Sequence, residues 1–211
     1  MVLGPYNHSV YDSLGEVSII SKEVQKSDID ELGRIILRNA YEKSVSIIIA
    51  HRHFDLQPEE AMLEEANGLV RLSKPYPLKE IEDKGATPNI LKCTSDGEWF
   101  PVGYELSVGQ EMSWKDENFL KEVGDYLVKN RLADKLMLGR RFSGGEKLDE
   151  SKFCEFNHFD TRTSENRLGT DEELTSAIPT TYAVKSNGDA KDDGFCIVCH
   201  NCIITKTGKH G

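Results

Sequence analysis

Two groups of side chains have the residue types and spacing that metal binding or acid–base catalysis requires. The first is the pair His51 and His53, which directly follows the apolar run of residues 47–50. Histidine titrates near neutral pH and binds metals through either ring nitrogen. Residues i and i+2 of a strand point to the same side, so both imidazoles are expected on one face. This spacing suits two ligands of one metal ion, or a general acid and a general base.

A metal site needs more ligands than two histidines, and carboxylates follow the pair closely in the sequence. Asp55 comes two residues after His53, and we name it with both histidines as a candidate catalytic residue. A carboxylate can supply a third ligand or orient an imidazole. The other nearby candidates are Glu59, Glu60, Glu64 and Glu65. The alternative is that one histidine is solvated and the other is hydrogen-bonded in the core.

The second group is the C-terminal segment, where three of the five cysteines fall within seven residues. Two overlapping Cys-x-x-Cys spacings and two histidines are typical of a zinc site. Zinc is therefore the predicted cofactor. The candidate ligands are Cys196, Cys199, His200, Cys202 and His210. The pattern leaves open whether this segment and the histidine pair form one site or two. It also leaves open whether the cysteines bind a metal at all.

The segments around these groups predict both helices and strands. Apolar residues recur at helical spacing in residues 28–42 and 115–133, which indicates two amphipathic helices. Short runs rich in β-branched or aromatic residues predict strands at 16–24, 46–54, 99–108, 135–142 and 180–185. Asn67-Gly68 indicates a hairpin. Residues 75–88 and 143–176 have the composition of loops.

We therefore predict an α+β fold: a single domain with a mixed or antiparallel sheet, two main helices and a cysteine-rich C-terminal tail. The domain is expected over residues 16–185. Residues 186–211 are expected to form a flexible linker and the tail, with few contacts across that boundary.

The amino-acid composition of the chain disfavours some classes of binding partner. The chain has 211 residues, with 36 Asp and Glu against 26 Lys and Arg, which gives a net charge of −10. An acidic chain without a basic block disfavours nucleic acid. No apolar run is long enough to span a bilayer, and no leader is recognisable, so we expect no membrane and a cytoplasmic location. The cysteines should then be reduced or metal-bound.

Residues 51–56, with the sequence HRHFDL, resemble a motif found in a set of small fungal proteins. These proteins also carry an aromatic stretch like residues 99–106 (WFPVGYEL). Their C-termini have cysteines followed by a histidine, like Cys199, Cys202 and His210. The resemblance implies a fungal origin and a compact intracellular domain. Proteins of this kind are sometimes encoded among genes for specialised metabolites, which implies a biosynthetic role.

Three hypotheses about function remain open at this stage. The first is a metal-dependent enzyme that uses the histidine pair on a small-molecule substrate. The second is a biosynthetic enzyme without metal, in which His51 or His53 does the acid–base chemistry. The third is a module that uses zinc to fix the tail and binds a protein partner.

Overall fold

The fold was analysed in a computed structural model, which describes residues 3–106, 114–141, 150–186 and 195–203. Within these ranges the backbone forms ten strands and six α-helices. The strands are β1 (Val45–Ile49), β2 (Glu60–Asn67), β3 (Val70–Pro77), β4 (Thr87–Cys93), β5 (Trp99–Glu105), β6 (Leu136–Arg140), β7 (Phe153–His158), β8 (Thr163–Leu168), β9 (Ala177–Ser186) and β10 (Phe195–Ile203). The helices are α1 (His8–Asp12), α2 (Val17–Glu23), α3 (Lys26–Arg38), α4 (Leu78–Asp83), α5 (Glu117–Lys129) and α6 (Asp171–Leu174).

The ten strands close into a barrel in the order β1-β6-β4-β5-β2-β3-β8-β7-β10-β9, and β9 pairs with β1 to complete the ring. Two neighbouring pairs, β2 with β5 and β7 with β10, are parallel, and the others are antiparallel. The predicted α+β class and mixed sheet are therefore confirmed. The prediction of two main helices is not confirmed, although α3 and α5 are the longest, at 13 residues each.

The main hydrophobic core lies outside the barrel, between its wall and the long helices. Ile29, Leu32, Ile35 and Ile36 of α3 are buried because helical spacing places them on one face. In α5 the carboxylate of Asp116 caps the first turn by accepting from the backbone N–H groups of Asn118 and Phe119. The buried side chains of α5 are Phe119, Leu120, Val123 and Leu127. Both helices pack on outward-facing residues of β1, β4 and β6.

Both predicted helices exist, and the predicted hairpin is formed by β2 and β3, with Asn67 paired to Val70 and Gly68 at a φ of 63°. Three other predictions about local structure are wrong. Residues 16–24 contain helix α2 instead of a strand. Val17 packs in the outer core while Ile19 is exposed, so tertiary packing outweighs the β-branched composition.

Residues 75–88 are not a loop, because they contain the end of β3, helix α4 and the start of β4. Ile81 of α4 is buried against Ala61 and Leu63. Residues 150–176 hold β7, β8 and α6 instead of loops. Glu155, Ser164 and Asn166 line the cavity inside the barrel, so polar side chains on these strands gave the segment the composition of a loop.

The C-terminal cysteine segment contributes a barrel strand, so a separate tail is not confirmed. β10 pairs with β9 along its length and with β7 at Asn201–Ile203. The proposed linker falls mainly on residues 187–194, which lie outside the described residues, and the domain boundary at residue 185 stays a prediction. In the described part of the chain, no helix is long and apolar enough to span a membrane.

Candidate metal centre

The histidine pair lies just beyond the end of β1, where the chain leaves the barrel wall. The predicted strand over residues 46–54 ends at Ile49, but His51 still forms a parallel bridge with Gly15. The backbone N–H of Arg52 donates to the Gly15 carbonyl at 3.3 Å. The segment after α1 therefore fixes the backbone that carries both imidazoles.

The two imidazoles converge on one carboxylate, that of Glu155 on β7. His53 Nε2 lies 2.9 Å from Glu155 Oε2, and His51 Nε2 lies 3.9 Å from the same atom. The two rings are 4.5 Å apart between centroids and nearly perpendicular. His51 Nδ1 lies 2.7 Å from the Ile49 carbonyl oxygen, which can only accept, so Nδ1 carries the proton. The ring of His51 is thus held with Nε2 towards Glu155.

A second layer of polar side chains holds His53. The amide nitrogen of Asn157 lies 2.9 Å from His53 Nδ1, and its oxygen accepts from the hydroxyl of Ser164 at 2.5 Å. Both residues are buried. The Ser164 hydroxyl and the Asn157 amide together hold the ring of His53 in place.

Cys202 on β10 completes the cluster. Its thiol is buried, and the amide nitrogen of Asn157 lies 3.7 Å from its Sγ. One ligand atom from each of His51, His53, Glu155 and Cys202 can be chosen so that all four lie within 4.8 Å of one another. This cluster can hold a metal ion. Of the candidate ligands predicted from the sequence, the fold brings His51, His53 and Cys202 together in this cluster.

Burial and charge act on the acidic groups of the cluster in different ways. Burial by itself raises the pKa of Glu155, but the adjacent His53 and His51 rings outweigh it and lower the pKa to about 2. Glu155 is therefore a carboxylate. Burial raises the pKa of the Cys202 thiol, and the nearby Glu155 raises it further, so without an ion Cys202 keeps its proton.

The cluster borders a cavity of about 170 Å³ inside the barrel. His51, His53 and Glu155 line this cavity, whereas Cys202 is not among its lining residues. Tyr11 and Leu14, in α1 and just after it, line it as well. The cluster therefore presents three of its four groups to a space large enough for a small molecule.

Three further charged residues of the cavity wall, Glu64, Arg71 and Arg140, take part in ion pairs. Arg71 on β3 forms an ion pair with Glu64 on β2 and lies 3.6 Å from Glu105 on β5. Arg140 at the end of β6 forms an ion pair with Glu105. Burial raises the pKa of Glu64, and Arg71 opposes this shift only in part. These residues give the barrel a charged interior, which a domain core does not need.

The other predicted site residues lie elsewhere or beyond the description. The side chain of Asp55 is 77% exposed and lies 3.5 Å from Arg52, so it is not in the cluster. The nearby glutamates do not supply the third group either, because Glu60 pairs with Arg162 and Glu64 with Arg71. Cys196, Cys199 and His200 lie on β10, but their side chains are outside the described residues, as is all of His210. Their predicted role as ligands stays a prediction.

Sequence reasoning missed Glu155, Asn157 and Ser164. A usable signal was the alternation in residues 153–158 (FCEFNH), where Cys154 and Phe156 face the outer side and Glu155 and Asn157 the inner side. A polar residue at every second position of a strand indicates a polar interior only if the sheet closes. Without closure of the sheet, the polar composition of residues 143–176 predicts a loop.

Comparisons with known proteins give no relative from which a function could be transferred. No protein family matches the chain, and neither curated proteins nor solved structures yield a significant match.

Proposed function

We propose that the barrel binds a divalent metal ion, zinc in the first instance, and uses it as an enzyme on a small molecule in the cavity. His51, His53 and Glu155 would be the ligands that face the cavity, and Cys202 the ligand behind them. The observation that supports this most directly is the convergence of these four side chains within 4.8 Å beside a cavity.

The distances in the cluster suit zinc. Nitrogen, oxygen and sulfur ligands lie about 2.0–2.3 Å from zinc, so ligand atoms in a tetrahedron are about 3.3–3.8 Å apart. The separations from Glu155 Oε2 to the two Nε2 atoms, 2.9 and 3.9 Å, fall on either side of this range. Small rotations of the side chains would therefore be sufficient to accommodate the ion.

The hydrogen bonds around the histidines are also compatible with an ion. His51 already points Nε2 into the cluster, since Nδ1 donates to the Ile49 carbonyl. For His53, the bond from Asn157 leaves the proton on Nε2, which must lose it to bind a metal. If the Asn157 amide turns over, its oxygen can accept from Nδ1–H, and the Ser164 hydroxyl can accept from the amide nitrogen. The same two residues then support either state of His53.

The exposure of three ligands to the cavity favours a catalytic site over a structural one. Four protein ligands close a structural zinc site, so catalysis here requires a fifth coordination position for water or substrate, which the cavity side of the cluster would provide. A metal bound here would supply a polarised carbonyl or an activated water. Glu64 lines the cavity without belonging to the cluster, and its raised pKa makes it the candidate for moving a proton there.

A second candidate function needs no metal. The bond from Asn157 to His53 Nδ1 and the 2.9 Å contact from His53 Nε2 to Glu155 form a continuous hydrogen-bonded chain. In this case His53 and Glu155 would act together as an acid–base pair on the substrate. Activity that survives complete removal of metal would favour this function over the first.

Free thiols indicate the cellular context that we propose for this protein. Cys93, Cys154 and Cys202 are free thiols, which is consistent with a reducing compartment such as the cytoplasm. A role in fungal specialised metabolism follows only from the resemblance of the HRHFDL motif. An enzyme with a small buried cavity would suit that role.

The metal proposal is tested by elemental analysis of protein purified from medium that contains zinc, iron and manganese. We expect about one metal ion per chain. His53→Ala and Glu155→Gln should lose it. His158→Ala is the matched control, because this histidine is half exposed on β7 and pairs with Glu165 instead of the cluster. Wild-type protein without metal, or Glu155→Gln protein with a full complement, would contradict the proposal.

The same measurement separates the cluster from a site made by the C-terminal cysteines alone. We expect Cys202→Ser to weaken metal binding and the double variant Cys196→Ser, Cys199→Ser to retain it. The reverse result would place the metal at the cysteine segment.

A further inference from the structure

Four charged side chains form a continuous network along one part of the cavity wall. Arg71 on β3 pairs with Glu64 on β2. The carboxylate of Glu105 on β5 contacts both arginines, because one of its oxygens lies 3.6 Å from Arg71 Nη1 and the other pairs with Arg140 Nη1. A single carboxylate therefore holds the two guanidinium groups beside each other.

The two arginines belong to the surface of the cavity, and the glutamate between them lies behind that surface. Arg71, Arg140 and Glu64 line the cavity, whereas Glu105 is not among its lining residues. The side chains of Arg71 and Arg140 are 22% and 19% exposed, against 6% for Glu105. When Glu64 is ionised, the three lining groups carry two positive charges and one negative charge, a net charge of +1.

Stability does not explain this network of charges. Removing charged groups from water is costly, and apolar residues in place of a buried ion pair often leave a protein equally stable or more stable. A planar guanidinium matches the geometry of a carboxylate, so binding of an anion is the function that these residue types favour. The ion pairs engage Nη1 of each arginine, and a guanidinium carries five N–H donors, so these pairs are compatible with binding of a further anion.

The network lies close to the candidate metal centre. Glu155 of the cluster pairs with Asn166 across β7 and β8, and Asn166 pairs with Arg71 across β8 and β3. These three residues form one row and all line the cavity. Two strand spacings of about 4.8 Å separate the ends of the row, and side chains inside a closed barrel converge. The charge of Glu155 is near enough to raise the pKa of Glu64. A small molecule can therefore contact the cluster and the arginines together.

The size and the charge of this space limit the molecule. A dry cavity of about 150 Å³ is known to hold benzene, which has about six heavy atoms. The cavity here, at about 170 Å³, is only slightly larger. A carboxylate carries a single negative charge, as the net charge of the lining groups requires, whereas a phosphate monoester carries about −1.5 to −2 at neutral pH.

We propose that Arg71 and Arg140 bind a carboxylate of the substrate, and that the substrate is a small organic acid. Glu105 is the positioning residue that holds the two guanidinium groups together. The inference rests on the proposed function only for the reacting end of the molecule, which would lie at the cluster. The carboxylate end depends on the arginines.

Two probes of equal size test this directly. Butyrate and butyramide have the same number of heavy atoms and nearly the same shape, but only butyrate is charged. Their dissociation constants are measured by ligand-observed NMR titration of the purified protein, at low ionic strength and about pH 8, where glutamate is ordinarily ionised. We expect butyrate to bind at least about tenfold more tightly, because hydrogen bonds between charged groups are about twice as strong as neutral ones.

Three variants assign the preference to the network. Arg71→Gln and Arg140→Gln should each remove most of the difference between the probes. Glu64→Gln should act in the opposite direction, because it removes a negative charge from the cavity wall with little change of shape, and should tighten butyrate binding several-fold. If the arginine variants do not fold, Glu64→Gln decides. Arg167→Gln is the matched control, because this arginine pairs with Glu173 and is not among the lining residues.

The proposed metal ion could attract a carboxylate as well, and Glu155→Gln separates the two explanations. This variant should lose the ion, which elemental analysis measures, and should keep the preference for butyrate. A preference that disappears in Glu155→Gln but persists in both arginine variants would place the carboxylate at the metal and overturn the inference. If the wild-type protein holds no metal, the proposed function fails, but the comparison of the two probes is unaffected.

Four other results would overturn the inference. These are equal affinity for the two probes in wild-type protein, failure of both probes to bind, butyrate binding that Glu64→Gln leaves unchanged or weakens, and a lost preference in Arg167→Gln. Inorganic phosphate is the remaining probe. Tighter binding of phosphate than of butyrate would assign the arginines to a phosphate group instead of a carboxylate.

Discussion

Ile47 and Ile48 are neighbours on β1, but they meet opposite environments. Ile47 is fully buried in the outer core beneath the helices, whereas Ile48 faces the interior and lines the cavity. The same contrast holds around the ring. The outer face of β1, β4 and β6 is apolar and closed by α3 and α5, and the cavity lining includes two glutamates, three arginines and the histidine pair. The apolar outer face stabilises the fold. The inner face can therefore hold charged groups that a packed core would exclude.

The largest expected effect comes from removing β10, because this strand closes the barrel and also carries a residue of the cluster. A chain that ends at Lys185 leaves β7 and β9 with unpaired edges and lacks Cys202. We expect it to lose its cooperative thermal transition in circular dichroism and its metal. A chain that ends at Ile203 is the control and should keep both. A cooperative transition in the shorter chain would instead support the sequence-based prediction of a domain that ends at residue 185.

The second prediction compares the two faces at adjacent positions. Ile47→Ala should lower the free energy of unfolding by about 2–5 kcal/mol, because it leaves a cavity in a packed core. Ile48→Ala should cost less, because its side chain already borders a cavity. Urea unfolding measures both, and both variants should keep the metal. Equal losses would show that the inner lining contributes as much to stability as the outer core.

The third prediction concerns the inner face alone. Asn157→Ala removes the hydrogen bond to His53 and should weaken metal binding by about 10–100-fold, as outer partners of ligands typically do. Competition with a chromophoric chelator measures the affinity. Asn166→Ala is the control, since this amide also lines the cavity but belongs to β8 and makes no described bond to either imidazole.

The smallest expected effect is on the outer surface, where charges are solvated. Arg167 and the cap of α6 lower the pKa of Glu173 to about 2. Because the pKa is lowered on folding, the stabilisation is present above the ordinary glutamate pKa and is lost as the pH falls towards 2. Melting temperatures at about pH 6 and about pH 3 should fall slightly less for Glu173→Gln than for wild type. An identical or steeper fall in the variant would contradict the assignment.

The outer face could be predicted from the sequence because its signals are local. Helical spacing identified α3 and α5, and the Asn67-Gly68 pair identified the hairpin of β2 and β3. The histidine pair was also recognisable, because His51 and His53 are two residues apart. Each of these features depends on residues that are neighbours in the chain.

The inner face could not be predicted, because closure of the barrel determines it. Glu155 is about a hundred residues from His53 in sequence and reaches it only through the ring of strands. The polar positions of β7 and β8 therefore had the composition of a loop. A bulge at Asn89 likewise depends on the pairing of β4 with β5 and has no signature within the segment itself.

The position of β10 in the ring also constrains how the protein is made. The ribosome synthesises β7 and β9 before β10, and translation proceeds at about 5–20 residues per second. For that interval the nascent chain presents two unpaired strand edges, which are sites for aggregation and for chaperones. His53 and Glu155 are then already synthesised, but Cys202 is not. A metal ion held by all four groups of the proposed site could therefore be bound only after β10 has been synthesised.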